Sequence, residues 1–294
     1  MKRYLRSDLA IEAADDLRHI EGTEYSTDER RLCRIERLTI KTDEAAKRLS
    51  RAQGSYVTLS TERIWLLEEN EIDELSRSLS RELLGIMLHS CGVKALTRDF
   101  SALIVGLGNS RITPDAIGPI SLEHITATRH IKSFDAEIFD QLGCCEISTL
   151  TPGVLGKTGI ESAETIKAAA KTVSPDVIII IDALAAGSVE RLASTIQISN
   201  TGINPGAGIG NLRSELSRKT LGVPVISIGV PTVVDSSTMV CEALIKSGID
   251  EIPEMLRDYL KRGIGYYVTP KETDLITEKV SALISKGISS ALVI

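Results

Sequence analysis

Aromatic residues are scarce in this chain, only 3% of 294 positions with a single tryptophan, so stacking platforms for bases or sugars are few. No run approaches the roughly 18 consecutive apolar residues that a membrane span requires. The start, Met1-Lys2-Arg3-Tyr4-Leu5-Arg6-Ser7-Asp8, is not followed by the apolar core of a signal peptide. Positive charge is in deficit: 34 Lys and Arg against 40 Asp and Glu leave a formal charge of −6. That balance argues against nucleic acid and anionic membranes, whose counterion-driven binding needs basic patches. The cysteines, at 33, 91, 144, 145 and 241, form an odd set without paired metal-ligand spacing. They are expected to be reduced thiols in a cytoplasmic protein. Histidines number 4, at 19, 89, 124 and 130, and none stands as an obvious partner for a serine or cysteine. A Ser/His or Cys/His hydrolase is therefore poorly supported.

What is present is a soluble globular composition, 43% apolar and 25% charged. A chain of this size buries roughly 75% of its unfolded surface. Residues 33–41 and 56–59 alternate polar and apolar, as antiparallel or edge strands with one wet face do, whereas the charged stretch 12–32 reads as loop or exposed helix. From about residue 70 the pattern becomes regular. Helices are expected at 71–90, 114–131, 160–172, 184–192, 236–247 and 270–286, and strands at 102–107, 146–150, 176–182, 194–199, 223–229 and 264–268. Such alternation predicts the α/β class, a three-layer, mostly parallel sheet with helices on both faces, here with an N-terminal β elaboration on one domain.

Two carboxylates stand out against that frame. Asp182 ends the aliphatic run Val177-Ile178-Ile179-Ile180-Ile181, and Asp115 follows Gly106-Leu107-Gly108-Asn109 after the apolar stretch 102–105. In open parallel sheets the carboxyl ends of the strands line the ligand crevice. Each acid also has a plainer reading. Thr113-Pro114-Asp115 has the form of a helix start, in which Asp115 is a first-turn acid, and Asp182 is placed to cap a helix at 184–192. Taken together, two acids at strand ends favour function over coincidence. The glycine loops give less. Gly106-x-Gly108 has Arg111 where a dinucleotide fingerprint needs its third glycine, and Gly156-Lys157-Thr158 has Thr151 where a phosphate loop needs its first. The loop Asn204-Pro205-Gly206-Ala207-Gly208-Ile209-Gly210-Asn211 shapes a substrate groove or is a plain flexible loop.

Several longer motifs carry a family resemblance. Thr-Pro-Asp-Ala-Ile-Gly-Pro (113–119), Thr-Arg-His (128–130), Thr-Pro-Gly-Val-Leu-Gly (151–156) and Ile-Asp-Ala-Leu-Ala-Ala (181–186) resemble the germination protease of spore-forming bacteria. So do Ser-Val-Glu-Arg (188–191), Ile-Gln-Ile-Ser (196–199), Leu-Gly-Val-Pro-Val (221–225), Pro-Thr-Val-Val-Asp (231–235) and Val-Thr-Pro-Lys-Glu (268–272), and the likeness runs from about Ser7 to near the C-terminus. The resemblance implies an aspartic-type endopeptidase of the spore cytoplasm, a tetrameric zymogen whose substrates are small acid-soluble spore proteins. The family's catalytic aspartates match Asp115 and Asp182, while Asn109, Gly206 and Gly208 are candidate substrate-binding residues. Its fold is similar to that of hydrogenase-maturation peptidases, a phosphorylase/hydrolase-like architecture with an acid after a Gly-x-Gly-Asn loop. Those enzymes use a later histidine as a metal ligand; no histidine follows His130 here, so neither a metal site nor a cofactor is expected. A metal-assisted peptidase and a catalytically silent spore-protein-binding module remain the alternatives. The family cuts after an acid that precedes a bulky apolar residue and alanine. Ser7-Asp8-Leu9-Ala10 fits, which implies self-cleavage between Asp8 and Leu9, residues 1–8 being a short propeptide and 9–294 the peptidase domain.

Overall fold

The computed structural model describes residues 7–13, 17–205, 214–249, 252–262 and 266–294. After a single 3-10 turn at Ala10–Glu12 come β1 (Thr23–Glu29), β2 (Cys33–Ile40), α1 (Asp43–Leu49), β3 (Gly54–Thr61) and the long α2 (Glu69–Cys91). Then follow β4 (Ser101–Gly106), a 3-10 turn at Thr113–Asp115, α3 (Ile117–Glu123), α4 (Arg129–Phe134), α5 (Ala136–Leu142) and β5 (Glu146–Leu150). Two helices, α6 (Leu155–Thr158) and α7 (Ser162–Val173), lead to β6 (Val177–Ala186), a 3-10 turn at Val189–Arg191 and β7 (Thr195–Ser199). The chain ends with α8 (Arg218–Leu221), β8 (Val225–Asp235), α9 (Ser236–Lys246), α10 (Glu254–Arg262), β9 (Tyr267–Val268) and α11 (Thr273–Ala291).

One sheet runs through the molecule in the order β1-β2-β3-β7-β8-β6-β4-β5, with β9 on the far end of β8. β8, β6, β4 and β5 pair in parallel and form the α/β half expected from the alternating pattern. The N-terminal elaboration is the meander β1-β2-β3, joined antiparallel to β7, which in turn pairs antiparallel with β8. Helices cover both faces. On one, Leu79, Leu83, Leu283 and Ile284 of α2 and α11 pack with Ile117 against Ile104, Ile179, Ile181 and Ile228. On the other, Ile166 and Ala170 of α7 meet Leu103, Val105, Ile178 and Ile180. β6 carries a side chain to each face in turn and both are dry, which is why its sequence is a continuous aliphatic run rather than an alternation.

Three expectations are corrected. The charged stretch 12–32 contains β1, whose sequence Thr-Glu-Tyr-Ser-Thr-Asp-Glu lacks an apolar stripe because it is an edge strand with most of its side chains in water. The helix expected over 114–131 is broken into the 3-10 turn, α3 and α4, so His124 ends one helix and His130 begins another. No helix spans 184–192: the Ala-rich stretch continues β6 to Ala186, held by pairing with β8 as far as Val234. Tertiary pairing overrides the helical propensity of Ala-Leu-Ala-Ala.

Candidate active site

Asp182 lies inside β6, not at a helix start, so the capping reading fails for it. Its side chain is buried at 6% exposure and accepts a hydrogen bond from the Ala183 N–H at 3.0 Å. Register fixes its neighbours. Ile181 pairs with Gly106, the last residue of β4, and β6 continues past it. Asp182 stands opposite Gly229 of β8, and on the other side of Gly229 stands Gln197 of β7. Ile179, Ile181, Ile196 and Ile198 all belong to the α2/α11 core, so the alternation of strands sends Asp182 and Gln197 together to the opposite face.

Asp115 reaches the same carboxyl end of the sheet from β4. Leu107 donates its N–H to the Ile181 carbonyl at 2.9 Å, and the chain then folds back so that the Asn109 N–H donates to the Asp115 carbonyl at 3.0 Å. Gly108, with φ +115, makes this possible, because a β-carbon there would collide with the Asp115 carbonyl oxygen. Gly106 and Gly118 form a close backbone approach that seats α3 on β4, each leaving no room for a β-carbon against the other's segment. The Gly-x-Gly of the sequence thus serves a tight turn and a helix contact. Asp115 closes the 3-10 turn and is half-buried, while Ala116 takes the position before α3.

A cavity opens beside Asp182, lined also by Asp8, Arg51, Tyr56, Gln197 and Gly229. Asp115 and Asn109 belong to the neighbouring β4 loop and are not part of its lining among the described residues. Burial pushes the Tyr56 phenol up. The N-terminal segment threads this cavity. The Asp8 N–H donates to the Ala185 carbonyl at 2.9 Å, and the Ala185 N–H donates to Asp8 Oδ2 at 2.8 Å. Glu12 accepts from the Ser7 hydroxyl, and its Oε2 takes the Gly187 N–H at 2.8 Å. Leu9 and Ala10 are wholly buried. Leu9 packs with Leu184, Ala186, Leu192 and Val234, and Ala10 with Leu38, Ile40 and Tyr56.

Gly206 and Gly208 lie outside the described residues. All five cysteines are free thiols. Burial raises Cys91 to about 11 and Cys145 to about 12, so both are protonated near neutrality and neither is a ready nucleophile. Among the described residues no cluster of three or more His, Cys, Asp and Glu is arranged to hold a metal ion, and no helix is long and apolar enough to cross a membrane. Sequence reasoning missed Gln197, Arg51 and the Ala185 backbone. Only the polar residue in Ile-Gln-Ile hinted at the first, and nothing local marked the others.

Comparisons with known proteins give the family. A family model described as germination protease matches residues 4–247. Proteins named germination protease are 38% identical over 98% of this chain and 95% of their own length in Clostridium acetobutylicum and in Clostridium tetani. One from Bacillus cereus is 34% identical over 99% of this chain and 94% of its own. The chain therefore belongs to the germination protease family and is a peptidase by descent, with the cavity at Asp182 as its candidate active site.

Proposed function

We propose that this chain is an aspartic-type endopeptidase that degrades small acid-soluble spore proteins during germination, using Asp115 and Asp182 to activate water. The observation that carries the reading is the peptide already held at Asp182. Ser7-Asp8-Leu9-Ala10, an acid followed by a bulky apolar residue and alanine, lies along β6 with its main chain hydrogen-bonded and its apolar side chains buried. In the same reading the protein is made as a zymogen that cuts itself between Asp8 and Leu9, leaving residues 9–294 as the mature peptidase. It works as a homotetramer in the spore cytoplasm, and exposed Phe134, Met255 and Tyr259 are side chains that an assembly would cover.

The division of labour follows the two settings. Asp115, half-buried on a turn open to the sheet's end, is the base that takes a proton from water. Asp182, buried on its strand, holds the proton that it donates toward the carbonyl oxygen, because desolvation disfavours the ionised form. Incubation with a small acid-soluble spore protein, with products read by mass spectrometry, tests the reading. Wild type is expected to cut after an acid. Asp115→Asn and Asp182→Asn are expected to lose at least about 1,000-fold in turnover with unchanged thermal unfolding, as removal of a member of a catalytic unit does. Near-normal turnover in either variant sinks the pair. A wild-type chain that binds such proteins without cutting them makes it a binding module instead.

A further inference from the structure

Resting on that reading, we infer that Ser7–Ala10 lies in the cleft in the register of a substrate, with Gln197 holding the carbonyl of the bond to be cut and Arg51 clamping its neighbours. Gln197 is buried, and its two amide ends contact one peptide at two points. Nε2 donates to the Asp8 carbonyl at 3.4 Å, while Oε1 accepts the Ala10 N–H at 2.6 Å. The second contact fixes which end of the amide faces the Asp8 carbonyl. Arg51 Nη2 donates to the Ser7 carbonyl at 2.7 Å and to the Leu9 carbonyl at 3.2 Å. Three consecutive carbonyls, those of residues 7, 8 and 9, thus each meet a side-chain donor. The Asp8 N–H is taken by the Ala185 carbonyl and the Ala10 N–H by Gln197. Such a grip reads main chain, which suits an enzyme acting on a short motif carried by many proteins.

The row Asp182–Gly229–Gln197 explains why Gln197 is the reacting-side contact. With strands about 4.8 Å apart, the two Cα atoms stand about 10 Å apart on either side of a residue that has no side chain. The carboxyl group and the amide line the same cavity as Asp8, with the Leu184 side chain filling the space over Gly229 between them. A peptide carbonyl gains negative charge as water adds, and a fixed N–H donor is worth more to that state than to the resting peptide. Arg51 Nε is buried and finds no partner among the described residues, which leaves it a further donor at the cleft wall. The Ala185 N–H contributes the acid-reading contact. It sits just past the register shift between Leu184 and Ala185 and donates to the Asp8 carboxylate.

The test uses the full chain. Intact mass follows release of residues 1–8, and a Glu-Ile-Ala peptide reports cutting in trans. Gln197→Glu keeps the side chain's shape and its acceptor for the Ala10 N–H but loses the donor to the Asp8 carbonyl. It is expected to process at least about 100-fold more slowly, the cost of one oxyanion donor, with an unchanged melting temperature. Arg51→Ala is expected to slow processing about tenfold, with Arg51→Lys recovering part of it. Wild-type rates in Gln197→Glu overturn the inference alone, whereas a wild type that cuts the peptide but never its own terminus overturns it together with the self-processing step and leaves the endopeptidase reading standing. A wild type that does neither overturns the parent reading and this one with it. Should Gln197→Glu fail to fold, wild type is given a Glu-Ile-N-methyl-Ala peptide, which lacks the N–H that Gln197 accepts. At least a tenfold lower kcat/KM supports the role and an unchanged value overturns it.

Discussion

At the scale of single residues, the turn that presents Asp115 depends on Gly108. Its φ of +115 lies where an L side chain is strained, and the space a β-carbon needs is filled by the Asp115 carbonyl oxygen. Gly108→Ala is therefore expected to cost about 1–3 kcal/mol in chemical denaturation and, by displacing Asp115, at least tenfold in peptide turnover. A variant with wild-type stability and turnover removes the turn from the mechanism. Asp182 stands out in the sequence because it interrupts a strong aliphatic run inside β6, and Asp115 because it follows a glycine turn after one. Gln197 is not, for a strand residue between Ile196 and Ile198 shows only that it faces away from that core. Whether it then meets solvent, a helix or a substrate depends on β6 and β8, which lie elsewhere in the sequence. Arg51 sits in a short loop after α1, where an exposed cation is the ordinary expectation, and its role emerges only when the N-terminus folds back across it.

At the scale of elements, α11 holds the Asp115 turn through a ladder of hydroxyls. Thr277 donates to the Thr113 carbonyl at 3.1 Å, Ser281 to the Ile117 carbonyl at 3.2 Å and Ser285 to the Ser121 carbonyl at 2.8 Å. Spacing of four on both sides keeps one helix face against the 3-10 turn and α3. Thr277→Val conserves shape and removes only the hydrogen bond. It is expected to destabilise by about 1 kcal/mol and also to lower turnover, since its partner belongs to the Asp115 turn. Ser281→Ala is expected to destabilise similarly with turnover unchanged, because its partner lies in α3. Equal turnover in both variants would show that the ladder is structural alone. Periodicity reveals α11 but not this function, because serines and threonines on a buried face look like breaks in an apolar stripe. The same limit hides the end of β6, where Ala-Leu-Ala-Ala is locally helical and only pairing with β8 makes it strand.

At the scale of the whole molecule, residues near the N-terminus lie at the centre of the sheet. Asp8 pairs with Ala185 of β6, and Leu9 is sealed by side chains from β6, β8 and the turn between β6 and β7. In the proposed reading, a segment seated this way would present the Asp8–Leu9 bond to the chain's own carboxylates at an effective concentration that no second molecule matches. Release of residues 1–8 is therefore expected to be first order, with a half-time unchanged when the protein is diluted about a hundredfold. An isotope-labelled Asp182→Asn chain mixed with wild type is expected to keep its full mass while the wild type shortens. Cleavage frees an α-amino group at Leu9, in an apolar cluster where a charge is costly, so the new terminus is expected to leave the cleft and admit substrate. Hydrogen exchange at Ala185 and Gly187, whose N–H groups Asp8 and Glu12 now accept, should accelerate after processing. Protection that persists, or processing that slows on dilution, would mean that the terminus is a fixed part of the wall and that cutting occurs between molecules.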